Sequence, residues 1–278
     1  MRVAVIQLNA TADREENVER ALSLVHRAAA DGAELVVLPE YMTFLGPYRH
    51  FEQMSEPIPG PTTARLADAA RRHGIYVHGG SLIERSPVAD RYYNTSTVFN
   101  PQGELIATYR KVHLFDVNVP GEVSDRESQA ILPGDALVTV PLPQMVLGLS
   151  ICFDLRFPEL YRALALRGAE AFTVPAAFAR ATGRVHWEIL LRARAIENHA
   201  YVLAAAQYGQ DAGGHWRHGH SMIIDPWGQV LASGGETGEE VLLADVQRET
   251  VWRRRREMPV LTMRRPEVYT SPGRITAE

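Results

Sequence analysis

The stretch DGAELVVLP, residues 31–39, returns as RGAEAFTVP at residues 167–175, which lie 136 positions further along the chain. A second stretch, STVFNPQGELIA at residues 96–107, returns as SMIIDPWGQVLA at residues 221–232, 125 positions further along. Two similar offsets indicate two related halves that differ by insertions and deletions. The sequence therefore predicts two copies of one arrangement of strands and helices.

Helices and strands alternate in the first half. Apolar residues at helical spacing predict a helix over residues 17–30, and a buried strand over residues 34–39 follows it. The same order returns as a helix over residues 61–73 and a strand over residues 75–78. This alternation is typical of an α/β fold.

The next segment changes this pattern. Residues 93–99 and 104–109 are strand-like and flank the turn sequence at residues 100–103, which predicts an antiparallel hairpin and hence mixed sheets. Two mixed sheets that carry helices on one face bury their bare faces against each other, so we predict a four-layer αββα sandwich of two pseudo-repeated halves. Because no Ser/Gly-rich linker interrupts the chain, we predict a single domain over residues 1–278.

The composition restricts the function. The chain has 278 residues, of which 46% are hydrophobic and 22% charged, and its net charge of −4 argues against general nucleic-acid binding. A single cysteine cannot form an intramolecular disulfide and suits a reducing compartment. We find no signal peptide at the N-terminus and no apolar run long enough for a membrane span. We therefore expect a soluble cytoplasmic protein without a membrane partner.

That one cysteine, Cys152, follows the apolar run 145–151, and the chain turns into a helix near Pro158. We expect a thiol there to be exposed and aimed by a tight turn, as a nucleophile is, although a lone cysteine is also commonly a small buried hydrophobe. Glu40 and Lys111 likewise end apolar strands. An acid, an ammonium and a thiol suffice to attack an amide carbon, but ordinary solvated charges also occur at such positions.

The residues around these positions resemble the nitrilase superfamily of carbon–nitrogen hydrolases. The resemblance covers nearly the whole chain and rests on four motifs in the expected order: Leu38-Pro39-Glu40, Tyr109-Arg110-Lys111-Val112-His113-Leu114-Phe115, Arg126-Glu127-Ser128 ahead of Pro133-Gly134, and Ile151-Cys152-Phe153-Asp154-Leu155-Arg156-Phe157-Pro158-Glu159. Segments between residues 174 and 228 are most similar to the Nit1-like branch, whose members hydrolyse deaminated glutathione. The αββα architecture is also what this resemblance implies.

The resemblance implies a role for each matching residue. Cys152 is the expected nucleophile and Glu40 the expected base, while Lys111 and the backbone N–H of Phe153 hold the oxyanion. We also expect the nearby helix and Lys111 to lower the pKa of the thiol. Glu127, 25 residues before the cysteine, matches the second glutamate of the family and is expected to position Lys111 or the substrate.

Glu122, on the same loop as Glu127, is the alternative for the second glutamate. For substrate recognition, Arg156 suits a bidentate contact with a carboxylate, and the alternative is an ion pair with Asp154 or Glu159. The resemblance favours the substrate contact.

Two further residues follow from the resemblance to this branch. Phe178 and Thr182 lie where members of the branch bind the α-keto acid end of the substrate.

Three other features, a histidine cluster, a basic run and the C-terminal tail, have no catalytic role in this interpretation. His215, His218 and His220 are close in sequence, but no second group of ligands at zinc-like spacing accompanies them, so we expect no metal and no cofactor. The basic run 253–256 indicates a solvated or interfacial helix face. By resemblance, the tail from about 251 to 278 contributes to a homodimer or a higher homo-oligomer.

These observations lead to three functional hypotheses. The first is a cysteine-dependent amidase that releases 2-oxoglutarate and cysteinylglycine from deaminated glutathione through a thioester. The second is an ω-amidase that acts on 2-oxoglutaramate or another small carboxylate-bearing amide. The third is a non-catalytic binding protein that keeps the fold, which the intact set of candidate catalytic residues argues against.

Overall fold

The computed structural model describes residues 1–269, and its longer strands form two large mixed sheets. The strands of the first sheet are β1 (Arg2–Gln7), β2 (Leu35–Val37), β3 (Tyr76–His78), β4 (Leu82–Arg85), β5 (Tyr92–Phe99), β6 (Leu105–Arg110) and, from the end of the chain, β17 (Glu240–Asp245). Between them in sequence, β7 (Asp116–Val119) and β8 (Val123–Arg126) pair as a separate hairpin.

The second sheet follows in the chain. Its strands are β9 (Thr139–Pro141), β10 (Val146–Leu149), β11 (Ala171–Thr173), β12 (Tyr201–Ala204), β15 (Met222–Ile224) and β16 (Val230–Ser233), while β13 (Tyr208–Gln210) and β14 (Trp216–His218) form a second separate hairpin. The α-helices are α1 (Arg14–Ala30), α2 (Phe51–Met54), α3 (Pro61–His73), α4 (Pro158–Leu166), α5 (Arg180–Asn198), α6 (Arg248–Glu257) and α7 (Pro266–Tyr269). Short 3₁₀ turns cover Tyr48–His50, Glu127–Gln129 and Cys152–Arg156.

Apart from β4, which pairs with β5 only in the first sheet, the two sheets have the same internal order. In the first, β1, β2 and β3 are parallel neighbours, and β5 and β6 continue the sheet antiparallel. In the second, β10, β11 and β12 are parallel neighbours, and β15 and β16 continue it antiparallel. β17 closes the first sheet against β1 as β9 closes the second against β10. The predicted pair of repeated halves is therefore confirmed, as are the mixed sheets.

The apolar residues of the first sheet alternate between two cores. Val5 and Val37 belong to the large core that they share with the second sheet, whereas Ile6 and Val36 belong to a separate core with α1 and α3. This is the alternation that a strand buried on both faces requires.

Two contacts place the second sheet. Phe172 faces α4, because its ring packs on Tyr161 at 5.1 Å. Thr173, the next residue, points to the first sheet and lies 3.1 Å from the imidazole of His78. The order of layers is helices, sheet, sheet, helices, as the αββα prediction requires.

The helix boundaries agree with the sequence within a few residues. α3 covers the predicted residues and ends at Gly74, which has a left-handed φ of 65°. α1 begins three residues earlier than predicted, at Arg14, because the carboxylate of Asp13 caps the N–H of Glu16 at 3.0 Å. β2 and β3 are shorter than predicted, since hydrogen-bonded pairing ends before the apolar runs do, whereas β5 is one residue longer and β6 is shifted by one residue.

The C-terminal segment packs back on the second half. Trp252 of α6 donates a hydrogen bond to Glu170 at 2.8 Å, and Arg255 donates to the carbonyl of Ala169 at 2.7 Å. Residues 270–278, part of the tail expected at a dimer interface, lie outside the described residues. Over residues 1–269, no helix combines the length and the apolar character that crossing a membrane requires.

Candidate active site

Four sequence-predicted residues converge on one cavity of about 740 Å³. Glu40 follows β2, Lys111 follows β6, Glu127 opens a 3₁₀ turn after β8, and Cys152 follows β10. Their side chains all line the cavity, although up to 112 positions separate them in the sequence (Glu40 to Cys152). Glu40, Lys111 and Cys152 converge because β2, β6 and β10 end at the same side of the sandwich, and Glu127 joins them through its ion pair with Lys111.

Cys152 sits in a strained turn between β10 and the 3₁₀ turn that it opens. Its φ of 47° is left-handed, which is uncommon for a residue with a side chain. The N–H of Cys152 donates to the carbonyl of Pro175 at 2.9 Å, and this bond holds the turn. The residue is only 8% exposed, so the expectation of an exposed thiol is wrong. Neighbouring loops cover the thiol, so a substrate reaches it through the cavity.

The expected direction of the thiol pKa is also wrong. Burial raises the pKa of Cys152 well above its ordinary value, and the carboxylate of Glu40 raises it further. The ammonium of Lys111 opposes both effects without outweighing them. Cys152 therefore carries its proton at neutral pH in the free protein, and Glu40 lies close enough to act on the thiol.

Lys111 is held between two carboxylates. Its Nζ donates to Glu127 Oε2 at 2.8 Å and to Glu40 Oε1 at 3.1 Å, and its side chain is only 2% exposed. Burial alone lowers the pKa of this ammonium, but Glu127 and Glu40 raise the pKa more strongly, so it ends well above its ordinary value. Lys111 is consequently a fixed positive charge next to the thiol.

The carboxylate of Glu40 has a partner for each oxygen. Oε1 accepts from Lys111 and from the Asn94 amide at 2.9 Å, and Oε2 accepts from the backbone N–H of Ala177 at 2.7 Å. The amide of Gln207 donates to the backbone carbonyl of Glu40 at 2.9 Å. These contacts hold the carboxylate next to the thiol. Within residues 1–269, Lys111 is the only residue that forms an ion pair with Glu40.

Sequence reasoning missed the residues that hold this cluster. Tyr41 donates its hydroxyl to Glu127 Oε1 at 3.0 Å, and the Asn94 amide lies between Glu40 and Glu127. Asn94 is a fully buried polar residue inside β5. A polar side chain within an otherwise strand-like segment is the signal that identifies such a residue, because a buried amide needs polar partners.

A further residue with a missed role, Asp154, connects the segment around Lys111 to the segment around Cys152. It is fully buried, and its carboxylate accepts from the hydroxyl of Tyr109 at 2.7 Å and from the backbone N–H groups of His113 at 3.0 Å and Ile151 at 2.9 Å. His113 and Tyr109 flank Lys111, and Ile151 precedes Cys152. Asp154 therefore sets the distance between the ammonium and the thiol.

One backbone donor remains beside the nucleophile. The first hydrogen bond of the 3₁₀ turn runs from the N–H of Asp154 to the carbonyl of Ile151 at 3.0 Å. The N–H of Phe153 precedes that bond, and within residues 1–269 it has no acceptor. Unsatisfied N–H groups at a helix start are available to an anionic oxygen.

The predicted substrate-binding residues do not all lie in the same place. Phe153, Phe178 and Thr182 line the cavity, but Arg156 does not. Its guanidinium lies behind two of them, 5.2 Å from the ring of Phe178 and 5.8 Å from that of Phe153, and 3.3 Å from the imidazole of His186.

The alternative role of Arg156 was an ion pair. Arg156 forms no ion pair with Asp154 or Glu159 in the part of the chain that the structure describes. Both oxygens of Asp154 already accept other hydrogen bonds.

Loops from four regions complete the cavity wall. Tyr48 donates to Asp125 at 2.8 Å and so joins the loop after β2 to the β7–β8 hairpin. Glu122, the alternative to Glu127, lies exposed at that hairpin and lines the cavity away from Lys111's ion pairs. Arg217 of β14 pairs with Asp211 on a third wall. The residues of the α5 N-terminus form the fourth.

The histidine cluster does not converge on a common point. His215 is exposed on the β13–β14 hairpin, whereas His218 is buried and packs on Gly183 and on the ring of His220, 4.6 Å away. Burial lowers the pKa of His218 to about 4, and the neighbouring His220 contributes to the decrease. Among residues 1–269, no group of three or more His, Cys, Asp or Glu is arranged to hold a metal ion.

Comparisons with known proteins agree with this geometry. The family model described as carbon–nitrogen hydrolase matches residues 2–256. The chain is 41% identical over 271 residues to the omega-amidase NIT2 of Mus musculus, which covers 97% of this chain and 96% of that protein. It is 40% identical over 276 residues to the deaminated glutathione amidase of Bos taurus, which covers 98% of this chain and 84% of that protein.

A solved structure shows the same fold. Nit3 of Saccharomyces cerevisiae, described as a member of branch 10 of the nitrilase superfamily, superposes with a TM-score of 0.84 at 34% identity. The match covers 94% of each chain. The resemblance inferred from the four sequence motifs is therefore confirmed.

Proposed function

Because this chain belongs to the carbon–nitrogen hydrolase family, we propose that it hydrolyses deaminated glutathione to 2-oxoglutarate and cysteinylglycine. The chain is a cysteine-dependent amidase of the nitrilase superfamily, a hydrolase of carbon–nitrogen bonds other than peptide bonds. The convergence of Glu40, Lys111, Glu127 and Cys152 on one cavity carries the assignment of this reaction to these residues.

In the first step, the sulfur of Cys152 attacks the amide carbon. Because burial keeps the thiol protonated, Glu40 must take its proton as the attack occurs, and the electrostatic interaction between the two groups indicates that they are close enough for this transfer. The carbonyl oxygen becomes an oxyanion. Lys111 Nζ and the free N–H of Phe153 are the donors next to the sulfur that stabilise it.

Collapse of the tetrahedral intermediate breaks the carbon–nitrogen bond. Glu40 returns its proton to the leaving nitrogen, and the acyl group stays on sulfur as a thioester. Glu40 then removes a proton from a water molecule, whose oxygen attacks the thioester carbon. Cleavage of the carbon–sulfur bond releases the acid, and the thiolate recovers the proton from Glu40.

Glu127 acts through Lys111 in this scheme. Its carboxylate is 2.8 Å from Nζ and also accepts from the N–H of Phe115 at 2.7 Å. Because a second carboxylate shares the ammonium, Lys111 stays charged and in place when Glu40 is neutralised by the thiol proton. Glu127 is thus a positioning residue.

The α-keto acid end of the substrate is proposed to lie between Phe178 and Thr182. The first hydrogen bond of α5 runs from the N–H of Gly183 to the carbonyl of Ala179 at 2.8 Å, and the residues before Gly183, from Arg180 to Thr182, line the cavity. No side chain caps this helix start. A helix N-terminus favours an anion, and Arg156 adds a positive charge behind the two phenylalanine rings.

The choice between two leaving groups rests on the size of the cavity. A cavity of about 740 Å³ lies within the usual range for ligand sites, and it offers room for a dipeptide as leaving group beside the acyl group. The omega-amidase relatives, which match this chain about equally well, favour 2-oxoglutaramate as the second candidate substrate. Ammonia would then be the leaving group.

Side-by-side turnover tests the assignment. The purified protein is incubated with deaminated glutathione and with 2-oxoglutaramate, and cysteinylglycine, ammonia and 2-oxoglutarate are each quantified. We expect a higher specificity constant for deaminated glutathione. A higher constant for 2-oxoglutaramate would make the protein an ω-amidase, and turnover of neither would return the question to a binding function.

The organisation of the chain in solution is part of the proposal. We infer a single hydrolase domain, supported by the family match over residues 2–256, and a homodimer. An exposed apolar row on α5, formed by Val185, Ile189 and Ile196, and the exposed Met258 and Met263 after α6 support an interface with a second copy. Light scattering of the purified protein measures the oligomeric state. The reduced thiol suits the cytoplasm.

A further inference from the structure

The cavity wall formed by the loop after β2 carries a positively charged residue, Arg49. It lies in the 3₁₀ turn Tyr48–His50, and its side chain is exposed and lines the cavity. The turn itself is anchored, because Tyr48 donates to Asp125 at 2.8 Å and packs its ring edge-on against Phe51 at 5.1 Å. Arg49 is therefore presented to the cavity from a fixed segment.

The other cations of the cavity wall are already paired. Lys111 binds Glu40 and Glu127. The two remaining arginines also have carboxylate partners, which are Glu236 for Arg180 and Asp211 for Arg217.

Arg49 differs from all of them. Within residues 1–269, no carboxylate, backbone carbonyl or aromatic ring contacts its guanidinium. Glu52 and Asp90 share a neighbouring depression with Arg49, but neither forms an ion pair with it. A guanidinium at a cavity wall without an internal partner is available to an anionic ligand.

We propose that Arg49 binds the carboxylate of the leaving group, the C-terminal carboxylate of the departing dipeptide. This inference rests on the proposed function, and it adds the residue that distinguishes a dipeptide leaving group from ammonia. Deaminated glutathione carries a carboxylate on each side of the scissile amide. The helix start of α5 and Arg156 are assigned to the acyl side, and Arg49 is the cation left for the other side.

This contact acts on binding more than on the chemical step. The carboxylate of the leaving dipeptide is several bonds from the scissile nitrogen, so it carries the same charge in the ground state and the transition state. Uniform binding of this kind changes KM and leaves kcat nearly constant. Because Arg49 is exposed, salt screens the contact, and the effect of its removal shrinks at high ionic strength.

Three substrates separate the possible roles of Arg49. They are deaminated glutathione, its analogue with a C-terminal carboxamide in place of the carboxylate, and 2-oxoglutaramate. The enzymes compared are the wild type, Arg49→Gln, Arg49→Lys and, as a matched loss of an exposed positive charge far from the cavity, Arg27→Gln.

For Arg49→Gln, we expect KM for deaminated glutathione to rise about three- to tenfold, with kcat within about twofold of the wild type. Both other substrates should change less than about twofold, Arg49→Lys should recover part of the loss, and Arg27→Gln should resemble the wild type. Equal losses on all three substrates would place Arg49 at the acyl side and overturn the inference. Unchanged kinetics on all three would also overturn it.

The same assay separates this inference from the proposed function. If the wild type hydrolyses none of the three amides, the proposed function fails and the role of Arg49 fails with it. If the wild type hydrolyses all three but Arg49→Gln does not discriminate the carboxylate from the carboxamide, only the inference fails.

Discussion

The two halves of the molecule share their strand order but end their matching strands in different residues. Leu38-Pro39-Glu40 in the first half has Val174-Pro175-Ala176 as its counterpart in the second. Glu40 brings a carboxylate to within 3.1 Å of Lys111. Ala176 brings only a methyl group, and its loop contributes backbone groups instead. The carbonyl of Pro175 accepts from the N–H of Cys152 at 2.9 Å.

The repeat therefore preserves the packing of the strand interiors, whereas the residues at the strand ends differ between the two halves. Strand interiors such as Val37 and Thr173 are fully buried, so their size and polarity are restricted in both copies. A strand end at the cavity has fewer neighbours to satisfy. The first half therefore supplies the acid and the ammonium, while the second supplies the thiol and the N–H of Ala177 that holds Glu40 at 2.7 Å.

The largest effect is expected when the thiol at the end of β10, in the second half, is removed. Cys152→Ala removes the only thiol of the chain, and we expect kcat to fall by more than about 10⁴-fold, because no other nucleophile lies at the cavity end of β10. Loss of one buried sulfur atom should cost only about 1 kcal/mol of stability. Mass spectrometry of quenched wild-type enzyme should find the acyl group on Cys152. An acyl group on another residue would refute covalent catalysis by this thiol.

The next test acts on the first half. Glu40→Gln keeps the shape of the side chain but removes the base, and we expect kcat to fall about 10³-fold with a small change in KM. Glu104→Gln is the matched control, because Glu104 is an exposed glutamate whose counterpart in the second half is Gln229. Steady-state kinetics of both variants measures the effect. Equal activity of the two variants would mean that Glu40 has no more chemical importance than its counterpart Ala176.

A smaller effect is expected where the second half is proposed to bind the acid group. Arg156→Gln should lower the specificity constant for carboxylate-bearing amides about five- to twentyfold, because it removes the positive charge that lies behind the rings of Phe153 and Phe178. Neutral short amides should change much less. Arg167→Gln, on an exposed arginine after α4, serves as the control. Equal losses on charged and neutral amides would show that Arg156 only supports the rings of Phe153 and Phe178.

The smallest effect reports on how the first half tunes the thiol of the second. The Glu40 carboxylate raises the pKa of Cys152, so Glu40→Gln should lower that pKa and speed alkylation by iodoacetamide at pH 7 about three- to tenfold. In the wild type, alkylation should keep accelerating as the pH rises past the range of ordinary thiols, because the thiolate forms only there. An inflection below pH 8 would instead indicate a preformed thiolate.

Much of the fold could be predicted because its signals are local. The continuous apolar runs of β1 and β2, the helical spacing before β2 and β3 and the turn between β5 and β6 are all present in short windows of sequence. Because the two halves repeat, a pattern found in one half also supports the same assignment in the other. The predicted start of α1 is three residues late, because the cap at Asp13 precedes the first apolar position of the helix.

The site could be predicted only in part. Glu40, Lys111, Glu127 and Cys152 stand in motifs that resemble those of a known family, so their convergence followed from the resemblance. The residues that hold these four side chains in place lie outside the motifs. Asn94 lies in the middle of a strand, and its partners Glu40 and Glu127 are 54 and 33 positions away.

The sequence by itself determined the αββα architecture, the repeat and the candidates for the reactive groups, because strand and helix periodicity and short motifs are properties of neighbouring residues. Only the tertiary structure decided the protonation of Cys152, the placement of Arg156 behind the cavity wall and the exposure of an unpaired Arg49. Each of these depends on desolvation and on charges that arrive from distant segments. Burial and Coulomb energy are set by distances in space, which local sequence patterns do not contain.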